Sequence, residues 1–219
     1  MSQDGEVLGE IRLRSSVQHS ERLFRSIDFL FSSMPFTLAD IDLFAAARGP
    51  GSFTGLRIGL AAMEAFAAAH RKPGAGVSSL EALAGQTSRC LPTTGRLISP
   101  IIDARRGEVY AGLYRDVQGA LVEIEPPAVM APEAWFAHLP DSEIVFSGDG
   151  TLRYREFVTQ PGWSIAEMDL YLAPAVARLA VSPGCGPLAP LYVRRTEAEL
   201  ARERQHESVT GSNPKNQAL

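Results

Sequence analysis

Cysteines and long apolar runs are both scarce in this sequence. The 219 residues contain only Cys90 and Cys185, with no Cys-x-x-Cys pair, so a disulfide framework is excluded. The most apolar stretch, residues 56–69, is shorter than the roughly 20 residues that cross a bilayer, and it contains Glu64. We therefore expect a protein of the reducing cytoplasm with no membrane-spanning segment.

An excess of positive charge is also lacking. Lys and Arg number 21 against 25 Asp and Glu, which gives a net charge of −4. Contact with a nucleic acid would therefore need a local basic patch or the surface of a partner. The chain is 45% hydrophobic, enough to bury the core of one large domain or of two small lobes.

A glycine-rich segment is the strongest motif that is present. Residues 49–59 read Gly-Pro-Gly-Ser-Phe-Thr-Gly-Leu-Arg-Ile-Gly, between a strand candidate at 43–47 and a helix with apolar residues at helical spacing. Such a loop can cradle an anion at the helix N-terminus, or it can be a tight turn with close helix packing. The candidate anion-binding residues are Gly49, Gly51, Ser52, Thr54, Gly55 and Arg57.

Three better-known loops do not fit this segment. A Walker loop is excluded because no Gly-Lys-Ser/Thr follows, and Thr54 stands where the dinucleotide fingerprint has its third glycine. A nucleophile elbow needs glycines two residues on either side of Ser52, where this chain has Pro50 and Thr54. We therefore expect no catalytic serine. Ser52 or Thr54 is instead expected to cap the helix.

The remaining pattern predicts alternating helices and strands. Asp4-Gly5 is a hairpin turn signal before a strand candidate at 6–13. The other predicted helices are 16–34, one that begins near Ser78 and Glu81, 132–139, 151–158 and 171–181. The other predicted strands are 96–102, 108–114, 121–124 and 143–146, with turns at 106–107 and 118–119.

Four segments in a fixed order together resemble one family. Residues 47–59, and residues 102–110 with the sequence Ile-Asp-Ala-Arg-Arg-Gly-Glu-Val-Tyr, resemble signatures of the bacterial TsaB (YeaZ) family of tRNA threonylcarbamoyladenosine biosynthesis proteins. Residues 19–23 and 190–194 support the match. The resemblance implies an α/β fold of the actin/Hsp70-like (ribonuclease H-like) type. It divides the chain into an N-terminal lobe at 1–95, a C-terminal lobe at 96–195 and a polar tail at 196–219, which we expect to be disordered.

The same resemblance implies an incomplete N-terminal lobe. Members of the family begin with two further strands, whereas only Met1-Ser2-Gln3 precede the Asp4-Gly5 turn here. We expect either a truncated chain or a lobe with an incomplete sheet, in which strand edges and apolar surface would be exposed.

Partners and an interface are also implied by the resemblance. The family member is a non-catalytic subunit that binds and activates TsaD in a complex with the TsaE ATPase, and it reaches tRNA through that complex. Helix 16–34 and the helix after the glycine loop would form the surface for docking TsaD and for a possible homodimer, and ordinary core packing is the alternative. The interface candidates are Leu23, Phe24, Ile27, Phe31, Leu60 and Met63. ATP and a metal ion would belong to the partner subunits, and no cofactor of its own is expected.

Metal-binding residues are missing where the related transferase has them. TsaD carries two metal-binding histidines four residues apart, and the matching positions here are Ser79 and Leu83. Asp103 and Glu108 are the only acids near a strand end that could hold magnesium. We expect Asp103 instead to cap backbone amides in a turn and to pair with Arg105 or Arg106.

Three alternatives remain open from the sequence. The chain could be a small-molecule kinase or a metallopeptidase-like enzyme of the same fold, or a truncated product without a function. Gly148 and Gly150 are possible nucleotide contacts in such a fold, although a plain turn is the alternative.

Overall fold

The computed structural model describes residues 1–13, 19–92, 95–182 and 185–193. The helices in these residues are α1 (His19–Ser32), α2 (Phe53–His70), α3 (Ser79–Cys90), α4 (Pro132–His138), α5 (Asp149–Arg153) and α6 (Ala173–Leu179). The strands are β1 (Ser2–Gln3), β2 (Glu6–Val7), β3 (Phe44–Gly49), β4 (Gly74–Ser78), β5 (Leu97–Arg105), β6 (Glu108–Val117), β7 (Ala120–Met130), β8 (Ile144–Ser147) and β9 (Trp163–Ala166). The predicted tail at 196–219 lies outside the described residues, as does Arg194.

A strand, the glycine loop, a helix and a parallel strand build the first sheet. β3 and β4 pair in parallel, and α2 connects them and packs on one face. The other face of the sheet is covered by α6, where Ala75 and Val77 are buried against Ala175, Val176 and Ala180. β4 is rich in small residues because another chain segment lies close to it. A Cβ atom at Gly76 would lie 2.3 Å from the carbonyl oxygen of Pro187.

The second sheet has five strands in the order β7-β6-β5-β8-β9. β5, β6 and β7 form an antiparallel meander, while β8 and β9 run parallel to β5 and to each other. Its core is aromatic: Trp135 and Phe136 of α4 pack with Phe146 of β8. The buried Trp135 Nε1–H donates to the Ser99 hydroxyl at 3.0 Å, so the polar atom of the indole is satisfied.

Helix α3 connects the two sheets. Leu80 and Ala84 are buried against Ile98 and Tyr114 of the second sheet, whereas Ala82 lies in the core of the first. The chain then returns to the first sheet with α6 after completing the second. A boundary near residue 95 therefore separates the two sheets, but α6 packs with the lobe that precedes the boundary.

The N-terminal segment forms a minimal hairpin. β1 and β2 pair over two residues each, and Asp4 and Gly5 have φ values of 50° and 84° in the turn. The predicted strand at 6–13 is correct only for Glu6–Val7. Leu8 and Gly9 hydrogen-bond to Met1 without extending the strand. Within the described chain β3 pairs with β4 alone, so the first sheet has two strands there.

Most of the predicted elements are present, with changed ends. The helix predicted at 16–34 is described at His19–Ser32, and residues 14–18 lie outside the described part. The helix predicted at 151–158 begins earlier and becomes the shorter α5. β9 was not predicted. No helix within the described residues has both the length and the hydrophobicity needed to cross a membrane.

Candidate functional site

The glycine loop forms the N-terminus of α2. Ser52 is the cap: its hydroxyl accepts the Gly55 N–H at 3.3 Å, which settles the choice between Ser52 and Thr54. Gly49 has a φ of 109°, and a Cβ atom there would lie 3.0 Å from the carbonyl oxygen of Leu191. Glycine is required at that position for backbone reasons.

A cleft of about 280 Å³ opens between the two lobes in front of this loop. Pro50, Gly51, Ser52, Gly55 and Leu56 line one side, and Ser79, Leu83, Ile102, Asp149, Leu170 and Leu172 line the rest. The parallel strands β3 and β4 both end at this cleft. Open α/β sheets bind ligands at that edge.

No positively charged side chain is among the described residues that line this cleft. Within the described part of the chain, the one ionisable group in the lining is Asp149, whose carboxylate accepts the Asp103 N–H at 3.1 Å. Arg57 points elsewhere: its guanidinium stacks 3.9 Å from the ring centre of Phe53 and donates to the Tyr192 hydroxyl at 3.2 Å. An anion in the cleft would therefore rely on the N-terminus of α2 alone.

Only part of the predicted anion-binding set lines the cleft. Gly51, Ser52 and Gly55 line it, whereas Gly49 is buried behind the loop and Thr54 is exposed outside the lining. Anion binding stays a prediction. Asp149 was missed, although its position just past Gly148 at the end of strand β8 could have indicated it, since the ends of strands form the cleft.

The two positions that the resemblance predicts to match metal-binding histidines of TsaD, Ser79 and Leu83, face this cleft. Ser79 is 6% exposed and Leu83 is fully buried, and both line the cleft wall. Among the described residues, no three His, Cys, Asp or Glu side chains come together in an arrangement that could hold a metal ion.

Asp103 forms the turn that the sequence predicted. Its carboxylate accepts the Arg105 N–H at 2.9 Å and pairs with the guanidinium groups of Arg105 at 3.2 Å and Arg153 at 3.3 Å. Arg153 comes from α5, and no local sequence signal links it to a residue so far away in the chain. Asp103 therefore ties the end of β5 to α5.

Gly148 and Gly150 act in packing at the same junction. A Cβ atom at Gly148 would lie 2.1 Å from the Ile101 carbonyl oxygen, and one at Gly150 would lie 2.7 Å from the Ile101 side chain. The absence of side chains lets α5 approach β5 closely. Neither glycine is among the residues that line the cleft.

The predicted interface residues lie on and under α1. The Phe24 ring meets Phe66 of α2 edge to face at 6.2 Å, and Phe66 stacks on the buried Phe44 at 5.9 Å. Phe24 is nevertheless 51% exposed. Leu23, Ile27, Phe31 and Met63 are half-buried.

Leu60 differs from the other interface candidates because it is only 3% exposed. It lies on the side of α2 that faces the sheet, so it belongs to the core and offers no surface to a partner. Phe29 was not predicted, yet it is 67% exposed. Helical spacing places Phe29 outside the apolar face of α1. An aromatic residue at a position that the spacing assigns to the polar face is the signal that could have indicated it.

Comparison with known proteins gives one consistent picture. Residues 9–206 match a family model described as TsaD: tRNA N6-adenosine threonylcarbamoyltransferase. The tRNA threonylcarbamoyladenosine biosynthesis protein TsaB of Bacillus subtilis is 34% identical over 146 residues, which are 64% of this chain and 60% of that protein. TsaB of Escherichia coli is 31% identical over 168 residues, 75% of this chain and 72% of that one.

Solved structures agree with these relatives. YeaZ from Pseudomonas aeruginosa superposes with a TM-score of 0.69 at 28% identity, covering 80% of this chain and 85% of that one. A protein described as similar to the peptidase YeaZ gives a TM-score of 0.70 at 27% identity, over 81% and 85% of the two chains. The predicted actin/Hsp70-like α/β fold is thereby confirmed.

Proposed function

Because the chain belongs to the TsaB (YeaZ) family of tRNA threonylcarbamoyladenosine biosynthesis proteins, we propose that it is a non-catalytic subunit that binds and activates TsaD. In this proposal TsaD carries out the transfer to tRNA, with the TsaE ATPase in the same complex. Nucleotide and metal are held by those partners, and the assembly works in the cytoplasm.

The exposed apolar surface of α1 carries the proposal. None of the described side chains of this helix, from Arg22 to Ser32, is buried, although the helix contains three phenylalanines and two leucines. Phe24 and Phe29 are each at least half exposed. Aromatic residues that are exposed in a free subunit are typical anchors of protein interfaces.

The helix pair suits docking on an equivalent pair. α1 lies on α2, and Phe24, Phe66 and Phe44 form a continuous aromatic contact from the surface to the core. A partner with a similar helix pair can pack on this surface in a pseudo-symmetric manner, and a second copy of the chain can use the same surface. The homodimer and the TsaD heterodimer would then exclude each other.

The cleft supports the non-catalytic part of the proposal. It has Ser79 and Leu83 where metal-binding histidines would be needed. Asp149, the one ionisable group among the described lining residues, accepts a hydrogen bond from a backbone amide. Neither a hydroxyl nor an isobutyl group can replace an imidazole as a metal ligand.

The experiment compares three aspartate substitutions in size-exclusion chromatography with mass determination, after mixing with TsaD. Phe24→Asp and Phe29→Asp place a charge on the α1 surface, and we expect each to weaken the association at least about tenfold. Leu152→Asp is the matched control, since Leu152 is 42% exposed on α5, away from α1.

Circular dichroism of each variant checks that the fold is retained. Failure of the unmodified chain to associate with TsaD would contradict the proposal. So would an unchanged association of both folded phenylalanine variants. Mass determination of the chain alone, over a concentration series, measures the competing homodimer.

A further inference from the structure

A second groove, of about 610 Å³, is lined by the ends of strands β3 and β4 together with residues of β6 and β7. Six polar side chains line it, and we refer to it as the polar groove: Arg48, Ser78, Glu81, Tyr114, Glu123 and Tyr192. Its remaining walls come from β7 and from residues 191–193. The volume is in the range of small-molecule sites.

Tyr114 is the buried polar group of this groove. The side chain is 1% exposed, and its hydroxyl has no hydrogen-bond partner among the described residues. Burial raises the pKa of Tyr114 above its usual range, and Glu123 and Glu81 raise it further. The hydroxyl therefore remains a neutral hydrogen-bond donor, and the interaction with the Ser78 side chain offsets only part of the shift. A buried donor without an acceptor is rare in native structures.

Two carboxylates lie beside this hydroxyl. Glu123 on β7 is the cross-strand partner of Tyr114, and Glu81 belongs to the first turn of α3. Burial raises the pKa of Glu81, and the charge of Glu123 raises it further. Neither glutamate side chain makes a hydrogen bond or close ion pair within the described part of the chain. A cation placed between them would be stabilised by both.

Arg48 provides the opposite charge, and the fold fixes where it lies. Its side chain packs against two glycines, which leave the space that it occupies. A Cβ atom at Gly76 would lie 3.0 Å from Arg48 Cδ, and one at Gly186 would lie 2.2 Å from Nη1. The Arg48 carbonyl oxygen accepts the Leu191 N–H at 2.7 Å, which fixes the backbone. The guanidinium lies near enough to Glu81 to lower the pKa of that carboxyl in part, but no ion pair within 4 Å joins it to a described residue. Its donors are therefore available to an anionic group.

We propose that the polar groove binds a small zwitterion, with the chemistry of a free α-amino acid. The ligand carboxylate accepts from the Arg48 guanidinium and the Tyr114 hydroxyl, and the ligand ammonium donates to Glu81 and Glu123. This arrangement gives each unpaired group of the groove a partner of the correct sign. A polyanion would be repelled by the two glutamates, and a simple cation would leave Arg48 and Tyr114 without acceptors.

The test uses the full chain and titrates it calorimetrically with the twenty standard L-amino acids, each up to about 10 mM. We expect at least one to bind, and its N-acetyl and methyl ester derivatives to bind at least about tenfold more weakly, because each lacks one charge. If no free amino acid binds, or if the derivatives bind equally well, the proposal is wrong.

Variants of the groove locate the binding. Tyr114→Phe removes the unpartnered hydroxyl and keeps the ring, so we expect at least about tenfold weaker binding with an unchanged or higher melting temperature. Glu81→Gln should weaken binding to a similar extent. Tyr154→Phe and Glu133→Gln are the matched controls outside the groove. Equal binding by Tyr114→Phe and Glu81→Gln would overturn the assignment of the ligand to this groove.

Discussion

At the scale of single residues, Gly148 is the position where one added methyl group is expected to cost the most. A Cβ atom at this position would lie 2.1 Å from the Ile101 carbonyl oxygen, and φ is 107°. Both the clash and the strained backbone oppose a side chain, so we expect Gly148→Ala to lower the free energy of unfolding by about 2–4 kcal/mol. Urea denaturation of the purified chain measures this change.

Gly107 offers the control for that substitution. It also has a positive φ, 78°, but an added Cβ atom would meet nothing within 4 Å. Gly107→Ala therefore isolates the backbone cost, about 1 kcal/mol. Equal losses for the two variants would show that the contact with Ile101 contributes nothing.

The His138–Glu125 pair makes a pH-dependent contribution to stability. His138 Nε2 lies 2.8 Å from a Glu125 carboxylate oxygen. Burial disfavours the charged imidazole, but the hydrogen bonds to Glu125 and to the Ala134 carbonyl oxygen outweigh it and raise the pKa of His138. A raised pKa means that the stabilisation is fully present below the unfolded-state pKa near 6.5 and is lost as the pH rises through the folded-state pKa.

We expect a small effect, about 0.5 kcal/mol, because the two side chains are 40% and 34% exposed. NMR titration of the His138 ring is the sensitive measurement, and Glu125→Gln should lower its pKa. A His138 pKa that is the same in both proteins would contradict the assignment.

At the scale of secondary-structure elements, the cap of α2 can be tested directly. The Ser52 hydroxyl accepts an N–H of the first turn, whereas Thr54 lies inside that turn and is exposed. We expect Ser52→Ala to lower the free energy of unfolding by about 1 kcal/mol. Thr54→Ala should change it by less than about 0.5 kcal/mol, because alanine is the better helix former. Chemical denaturation of both variants measures the two changes in the free energy of unfolding. A larger decrease for Thr54→Ala than for Ser52→Ala would mean that Ser52 is not the cap.

Elements with local signals were predictable from the sequence. Ser78 caps α3, as its spacing from Glu81 indicated, and the turns at 106–107 and 118–119 join β5, β6 and β7. α2 ends at His70, where Arg71 takes a left-handed conformation with a φ of 53° before Pro73. These features depend on residues close together in the chain, which is what periodicity and turn chemistry report.

Features that depend on distant residues were not predictable. β9 has only four residues, and its pairing with β8 gives it a strand conformation that its own pattern does not indicate. Arg153 reaches Asp103 only because α5 packs on β5. Leu60 and Met63 share the apolar pattern of α2, but only the tertiary structure shows that Leu60 faces the sheet. The polar groove was missed for the same reason, since Arg48, Glu81 and Tyr114 come from three separate elements.

At the scale of the whole molecule, the two sheets differ in the support they receive. The five-stranded sheet has a continuous core that includes Trp135, Phe136 and Phe146, and α3 adds Leu80 from the other side. The first sheet has two strands within the described residues, and no described side chain of α1 is buried. Regions with few buried apolar contacts open at a lower cost in free energy. We therefore expect α1 and α2 to unfold before the second sheet.

Both tryptophans of the sequence, Trp135 and Trp163, pack in the core of the second sheet. Tryptophan fluorescence therefore reports that sheet, while far-UV circular dichroism also reports α1 and α2. We expect the dichroism midpoint at a lower urea concentration than the fluorescence midpoint. Gly148→Ala, at the β5–α5 junction, should lower the fluorescence midpoint more than the dichroism midpoint. Coincident transitions for both probes in both proteins would mean that α3 couples the sheets into a single cooperative unit, and the expected order of unfolding would be wrong.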